Sequence, residues 1–112
     1  MPIPIASDHA GLPLKQALIA ALQAEGLSFD DLGTHGPESV DYPDFAHAVS
    51  AKVAGTEGFG ILVCGTGIGM AIAANRHPGI RAAVLHNATE ARLTRAHNNA
   101  NIACLGARTT GI

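Results

Sequence analysis

The chain has 112 residues, enough for one domain spanning 1–112 and not for two. Its net charge is −2 with no basic stripe, which argues against nucleic-acid binding, and no apolar run approaches the roughly 20 residues of a membrane helix. Hydrophobic residues make up 47% and charged residues only 14%, a sparse charge supply for a small monomer, so a partner subunit is expected to cover part of the apolar surface. The start, MPIPIASDHAG, has neither the basic region nor the long apolar region of a secretion signal. Cys64 and Cys104 form neither a disulfide framework nor a zinc-ligand spacing, so a reducing cytoplasm is the expected setting.

In chain order, Ile3–Ala6 is a short apolar strand. Residues 12–24 place Leu14, Leu18, Ala21 and Leu22 on one helical face. A second short strand falls within Leu27–Gly33. Pro43 suits the first turn of a second helix, where its missing N–H costs nothing, and Phe45, Val49 and Val53 then share a face. Phe59–Cys64 is the clearest strand, and a third helix begins in the glycine turn after it and runs to about Arg76. Ile80–Leu85 reads as strand four. Asn87 and Glu90 form a capping box for a fourth helix over 88–97, and Ala100–Gly106 is strand five. This alternation predicts a Rossmann-like three-layer αβα sandwich on a five-stranded parallel sheet, with right-handed crossovers. The ending, ARTTGI, follows strand five with no closing helix, so one face of that strand is expected to be uncovered.

Ligands in open α/β sheets bind outside the carboxyl ends of the strands. Two polar stretches follow strands in that way: SDHAG (Ser7–Gly11) and CGTGIG (Cys64–Gly69). If strands one and three are neighbours at a switch point, these loops face each other. Gly65, Gly67 and Gly69 let backbone approach a ligand closely. The N–H groups at the head of helix three are expected to point outward unpaired, a seat for an anion. The same field favours the thiolate of Cys64. A base beside anion-stabilising donors is what proton abstraction next to a carbonyl requires. A cysteine at a strand end is also ordinary core packing. The turn is not a dinucleotide fingerprint, because its spacing is G-x-G-x-G, and the lysine of a P-loop is absent. Asp8 suits a helix cap or a sugar-hydroxyl acceptor, and His9 a surface imidazole or a phosphate ligand. In RAHNNAN (Arg95–Asn101), His97 and Asn98 read either as a helix C-terminus or as a general acid and a hydroxyl ligand. Cys104 reads as inert core. His35, His47, His77 and His86 receive no role.

Five motifs, ASDHAG, DYPDFA, CGTGIGMAIAAN, GIRAA and HNNANI, stand in the order and spacing of the type B ribose-5-phosphate isomerases, and the galactose-6-phosphate isomerase subunits share much of the pattern. The chain resembles that family over nearly its whole length. The resemblance implies an aldose–ketose isomerase that interconverts ribose 5-phosphate and ribulose 5-phosphate without metal or organic cofactor. It implies that Cys64 moves a proton between C2 and C1 through a cis-enediolate. Thr66 and the N–H groups of Gly65, Thr66, Gly67, Ile68 and Gly69 would hold the oxyanion. His97 would open the furanose ring, with Asp8 orienting the hydroxyls. His9 and Arg108 would sit near the phosphate or lower hydroxyls, Asn98 would bind the sugar, and Tyr42 would line the cleft. Some relatives replace the cysteine by a glutamate at the position of Met70; here the thiol version is the consistent one.

Helix four returns from the carboxyl end of strand four to the amino end of strand five, which puts His97 at the opposite edge of the sheet from Cys64. A strand of five or six residues spans roughly 17–20 Å. His97 and Asn98 are therefore expected to serve the site of a neighbouring subunit, in a homodimer or a dimer of dimers with shared sites. Family members continue into a C-terminal helix whose basic residues help hold the phosphate, and this sequence stops at Ile112. Weaker phosphate binding and a raised KM are the expectation, since Arg–phosphate bonds are among the stronger polar contacts. The alternatives are a hexose 6-phosphate (galactose or allose type) as substrate, or a non-catalytic sugar-phosphate-binding subunit.

Overall fold

The computed structural model describes residues 2–110; Met1 and the last two residues of the ARTTGI ending lie outside the described residues. Five parallel strands, β1 (Ile3–Ser7), β2 (Phe29–Asp31), β3 (Gly60–Cys64), β4 (Ala82–Val84) and β5 (Ile102–Gly106), lie in the order β2-β1-β3-β5-β4. Helices α1 (Leu12–Gln23), α2 (Tyr42–Val53), α3 (Ile68–Ala74) and α4 (Ala88–Leu93) connect them. β1 and β3 are neighbours, with Ser7 opposite Val63, so the chain reverses its direction of strand addition between them. This is the αβα architecture read from the sequence.

The alternation of side chains along the strands divides the sheet. On one face, Ala6, Leu62, Cys64, Ile102 and Cys104 join Ala46, Val49 and Val53 of α2 and Met70, Ala71 and Ala74 of α3 in one buried cluster. An added Cβ on Gly60 would stand 2.6 Å from Val49 Cγ1, so the glycine lets α2 sit down on β3. On the other face Ile61, Ala103 and Leu105 are only half-buried. A cavity of about 230 Å³ opens there between α4 and the strands, lined by Ile61, Leu85, Ala91, Thr94 and Ala103. No helix among the described residues is long and apolar enough to cross a membrane.

Four expectations are corrected. On α1, Lys15 is the buried residue, while Ala21 is exposed and Leu14, Leu18 and Leu22 are half-buried. The Lys15 ammonium reaches Asp31 Oδ1 and the Thr34 carbonyl, each at 2.6 Å, and that pairing draws it inward in place of a leucine. Helix three ends at Ala74, not near Arg76, because the Asn75 amide turns aside to bond Ala82 N–H (2.7 Å) and Ala82 O (2.9 Å). The fourth helix is not uniform over 88–97: the Asn87–Glu90 capping box forms at 2.8 Å, but after Leu93 the chain passes into a π-helical turn, Thr94–Asn98, closed by Asn99 at φ 50°. The third strand also starts at Gly60, one residue after Phe59.

Candidate active site

The site is built where the ends of β1 and β3 meet. Asp8 N–H donates to Val63 O at 3.2 Å, and Asp8 Oδ1 accepts from Gly11 N–H at 2.9 Å, so the first loop folds back over the end of β3. Gly11 is required: a Cβ there would lie 2.6 Å from the Val63 carbonyl carbon and closer still to its oxygen. Ser7 is clamped from the other side, donating to Gly33 O (2.7 Å) and accepting from Thr34 N–H (2.8 Å). Since Lys15 grips Thr34 and Asp31 accepts from Gly33 N–H at 3.0 Å, the half-buried ion pair props up the strand end that leads into Asp8. The pairing of Lys15 with Asp31 is not legible in the sequence, because an isolated lysine on a helix gives no sign of a carboxylate partner across the fold.

Cys64 closes β3. Its sulfur accepts a hydrogen bond from Gly67 N–H at 3.1 Å, and Gly67 adopts φ 82°, a conformation that favours glycine. The Ile68 N–H is taken by Thr66 Oγ1 at 3.2 Å. The expectation of unpaired N–H groups at the head of helix three is thus corrected for Gly67 and Ile68, whose donors are satisfied by the side chains of Cys64 and Thr66. In the single chain the thiol is nearly covered, at 5% exposure, and belongs to the buried cluster, whereas Thr66 is exposed. Cys104, on the same face, is fully buried, and burial, with the nearby Cys64 as the second cause, pushes its thiol up to about 12.

Tyr42 stands over the far side of the turn, its Cε1 2.8 Å from where a Gly69 Cβ would be. Arg108 covers the near side: its N–H donates to Gly65 O at 2.9 Å, and its Nη1 lies 3.3 Å from a Gly65 Cβ position. His9 is half-buried and its Nδ1 accepts from Val40 N–H at 3.2 Å, which leaves Nε2 as the protonated, donating nitrogen. Asp8, His9, Tyr42, Cys64, Gly65, Thr66, Gly67, Ile68, Gly69 and Arg108 therefore share the carboxyl edge of the sheet. His97 and Asn98 do not. Cys64 is paired with Gly106 at one end of β5, while both residues precede Ile102 at the other, exposed on the π-turn. The intervening strand is about 13 Å long at the usual rise.

A sequence profile described as Ribose/Galactose Isomerase matches residues 3–112. This chain belongs to the ribose/galactose isomerase family. It is 52% identical to ribose-5-phosphate isomerase B of Clostridium thermocellum, with a TM-score of 0.94 over 99% of this chain and 76% of that one. A ribose-5-phosphate isomerase B from Mycoplasma genitalium, solved with bound ribulose-5-phosphate, is 40% identical with a TM-score of 0.90, covering 98% of this chain and 74% of that one. Ribose-5-phosphate isomerase B of Escherichia coli is 44% identical over 106 residues, which are 94% of this chain and 71% of the relative. The chain thus spans about three-quarters of the length of these family members.

Proposed function

We propose that this sugar-phosphate isomerase interconverts ribose 5-phosphate and ribulose 5-phosphate, with Cys64 as the group that carries the proton. The observation that carries the reading is the seating of Asp8 against the end of β3, one residue from Cys64, by the Asp8 N–H to Val63 O bond. The thiolate takes the proton from C2 of the open-chain aldose; the C–H electrons form the C1–C2 double bond and the carbonyl pair moves onto O1. The protonated sulfur then returns the proton to C1, and the C2 hydroxyl passes its own proton to O1 as the ketose carbonyl forms, which restores the thiolate. The Gly67 N–H that bonds the sulfur at 3.1 Å fixes its position at the end of β3. The Thr66 hydroxyl, exposed beside it, donates to the developing oxyanion. Asp8 has a carboxylate oxygen for a sugar hydroxyl, and His9 Nε2–H with the Arg108 guanidinium faces the phosphate end.

Ring opening needs an acid, and His97 lies at the wrong edge of its own sheet. In this proposal the partner subunit's His97 and the partner subunit's Asn98 complete the site in a homodimer. The exposed Tyr42, Ile68 and Ile72 beside the glycine turn give that partner apolar surface to cover. Two unbridged cysteines fit a cytoplasmic setting.

The test is a coupled isomerisation assay on ribose 5-phosphate with the parent and Cys64→Ser. Loss of a positioned base lowers turnover by about 10²–10⁴-fold. Turnover in the parent with that loss in the variant supports the proposal. Equal turnover in both removes Cys64 from the mechanism, and substrate binding without parent turnover favours a binding subunit.

A further inference from the structure

The GIRAA motif has no part in the chemistry described so far, yet its arginine is bound to the segment that carries His97. Arg81 Nε donates to Asn99 O at 2.7 Å, and its Nη1 reaches Gly79 O at 3.3 Å. Asn99 is the residue that closes the π-turn, donating its N–H to Thr94 O from a left-handed conformation that non-glycine residues rarely adopt. Arg95 holds the same residue from the other side, donating to Asn99 Oδ1 at 3.2 Å and to the Ala100 carbonyl, with its guanidinium 4.7 Å above the Phe59 ring. Asn101 locks Arg81 to the sheet: Arg81 N–H donates to Asn101 Oδ1 at 2.8 Å, Asn101 N–H to Arg81 O at 2.9 Å, and Asn101 O accepts from Gly60 N–H at 2.9 Å. The turn's exit is thereby tied to the starts of β3, β4 and β5.

We propose that Arg81 is a positioning residue for the reaction, fixing the aim of His97 and Asn98 toward the neighbouring subunit's site. The inference rests on the shared-site reading above. Two features separate it from a general contribution to folding. Arg81, Arg95 and Asn99 are all exposed, where polar links add little to global stability. The π-turn, an insertion of the kind found often at functional sites, is what these links hold. An exposed His97 and Asn98 on a turn with a loosened exit would sample many directions, and misplacement of a reacting group by an ångström costs about a hundredfold in rate.

The experiment is a double-mutant cycle on the full chain: parent, Arg81→Ala, His97→Asn and the double variant, assayed for kcat/KM on ribose 5-phosphate at several protein concentrations, with Tm recorded for each. The expected result is a loss of roughly 10- to 100-fold for Arg81→Ala. Its Tm should stay near that of the parent, and little further loss should appear when His97 is already replaced. If Arg81→Ala lowers activity equally in both backgrounds, keeps parent activity while His97→Asn is impaired, or recovers at high protein concentration, the positioning role is wrong and the shared site stands. If His97→Asn itself has parent activity, the shared-site reading falls and takes this inference with it. Should Arg81→Ala not fold, Arg81→Met substitutes for it in the cycle, since it keeps an unbranched stem while removing the donors to Asn99 O and Gly79 O; the same selective, His97-dependent loss is expected, and its absence overturns the proposal.

Discussion

Replacing Gly11 by alanine tests whether the first loop and the cysteine strand must touch for the enzyme to work. The new Cβ would stand 2.6 Å from the Val63 carbonyl carbon. Restoring an ordinary carbon–carbon separation of about 3.5 Å requires the loop to lift by roughly 1 Å. The obstacle is backbone of a central strand, so the loop must move. Gly11 N–H is bonded to Asp8 Oδ1 at 2.9 Å, so the shift is passed directly to the carboxylate. Overpacking of this kind costs about 1–3 kcal/mol of stability, and a 1 Å displacement of a substrate-orienting group costs about 10²-fold in rate. Thermal unfolding and a coupled isomerisation assay on Gly11→Ala measure the two effects separately. By contrast, the atoms facing Gly69 are the outer ring of the Tyr42 side chain rather than strand backbone, so Gly69→Ala should lose less. A Gly11→Ala protein with kcat/KM within twofold of the parent would refute the claim that Asp8 acts from this loop.

Two further outcomes follow from the buried groups. Lys15→Met strips the fully buried ammonium from Asp31, whose side chain is 32% exposed. Breaking a buried pair costs about 3–5 kcal/mol, and the partial exposure of Asp31 puts the expectation at the lower end, about 3 kcal/mol in urea unfolding, whereas an unchanged midpoint would mean that the pair does not hold the loop. The Cys104 thiol, ordinarily near 9 and pushed up to about 12 by burial, binds its proton more tightly in the folded chain than in the unfolded one. Its contribution is therefore complete below pH 9 and lost as pH rises toward 12, a decline of at most about 1.4 kcal/mol per pH unit. Cys104→Ala should flatten that alkaline limb in circular dichroism against the parent; parallel limbs would show that the thiol is not the cause.

Most of the fold was legible because each element announces itself locally. Gly60–Cys64 is a short apolar run, α2 repeats Phe45, Val49 and Val53 at helical spacing, and Asn87 with Glu90 caps α4 as its residue types require. The departures come where a side chain reaches across the fold. Asn75 ends α3 by bonding Ala82, Lys15 turns inward to Asp31, and the arginines of two separate segments, Arg81 and Arg95, converge on Asn99 and shape a π-turn. None of these partners is near in sequence to the residue it redirects, except Arg95, so periodicity carries no trace of them. The ends of the first and third strands lie side by side, which the two polar stretches following apolar runs made legible. What the glycines did not disclose is that the sulfur and the Thr66 hydroxyl satisfy two of the turn's own donors.

The most direct measurement of the central claim, a thiol on one subunit working with an imidazole from another, is complementation. Cys64→Ser and His97→Asn are each prepared as near-inactive homodimers, then unfolded together, refolded and assayed on ribose 5-phosphate. In a mixed dimer both defects fall in one site and leave the other intact, so random pairing should restore roughly a quarter of the parent activity. A mixture no more active than either variant alone, or a His97→Asn homodimer as active as the parent, would contradict the account.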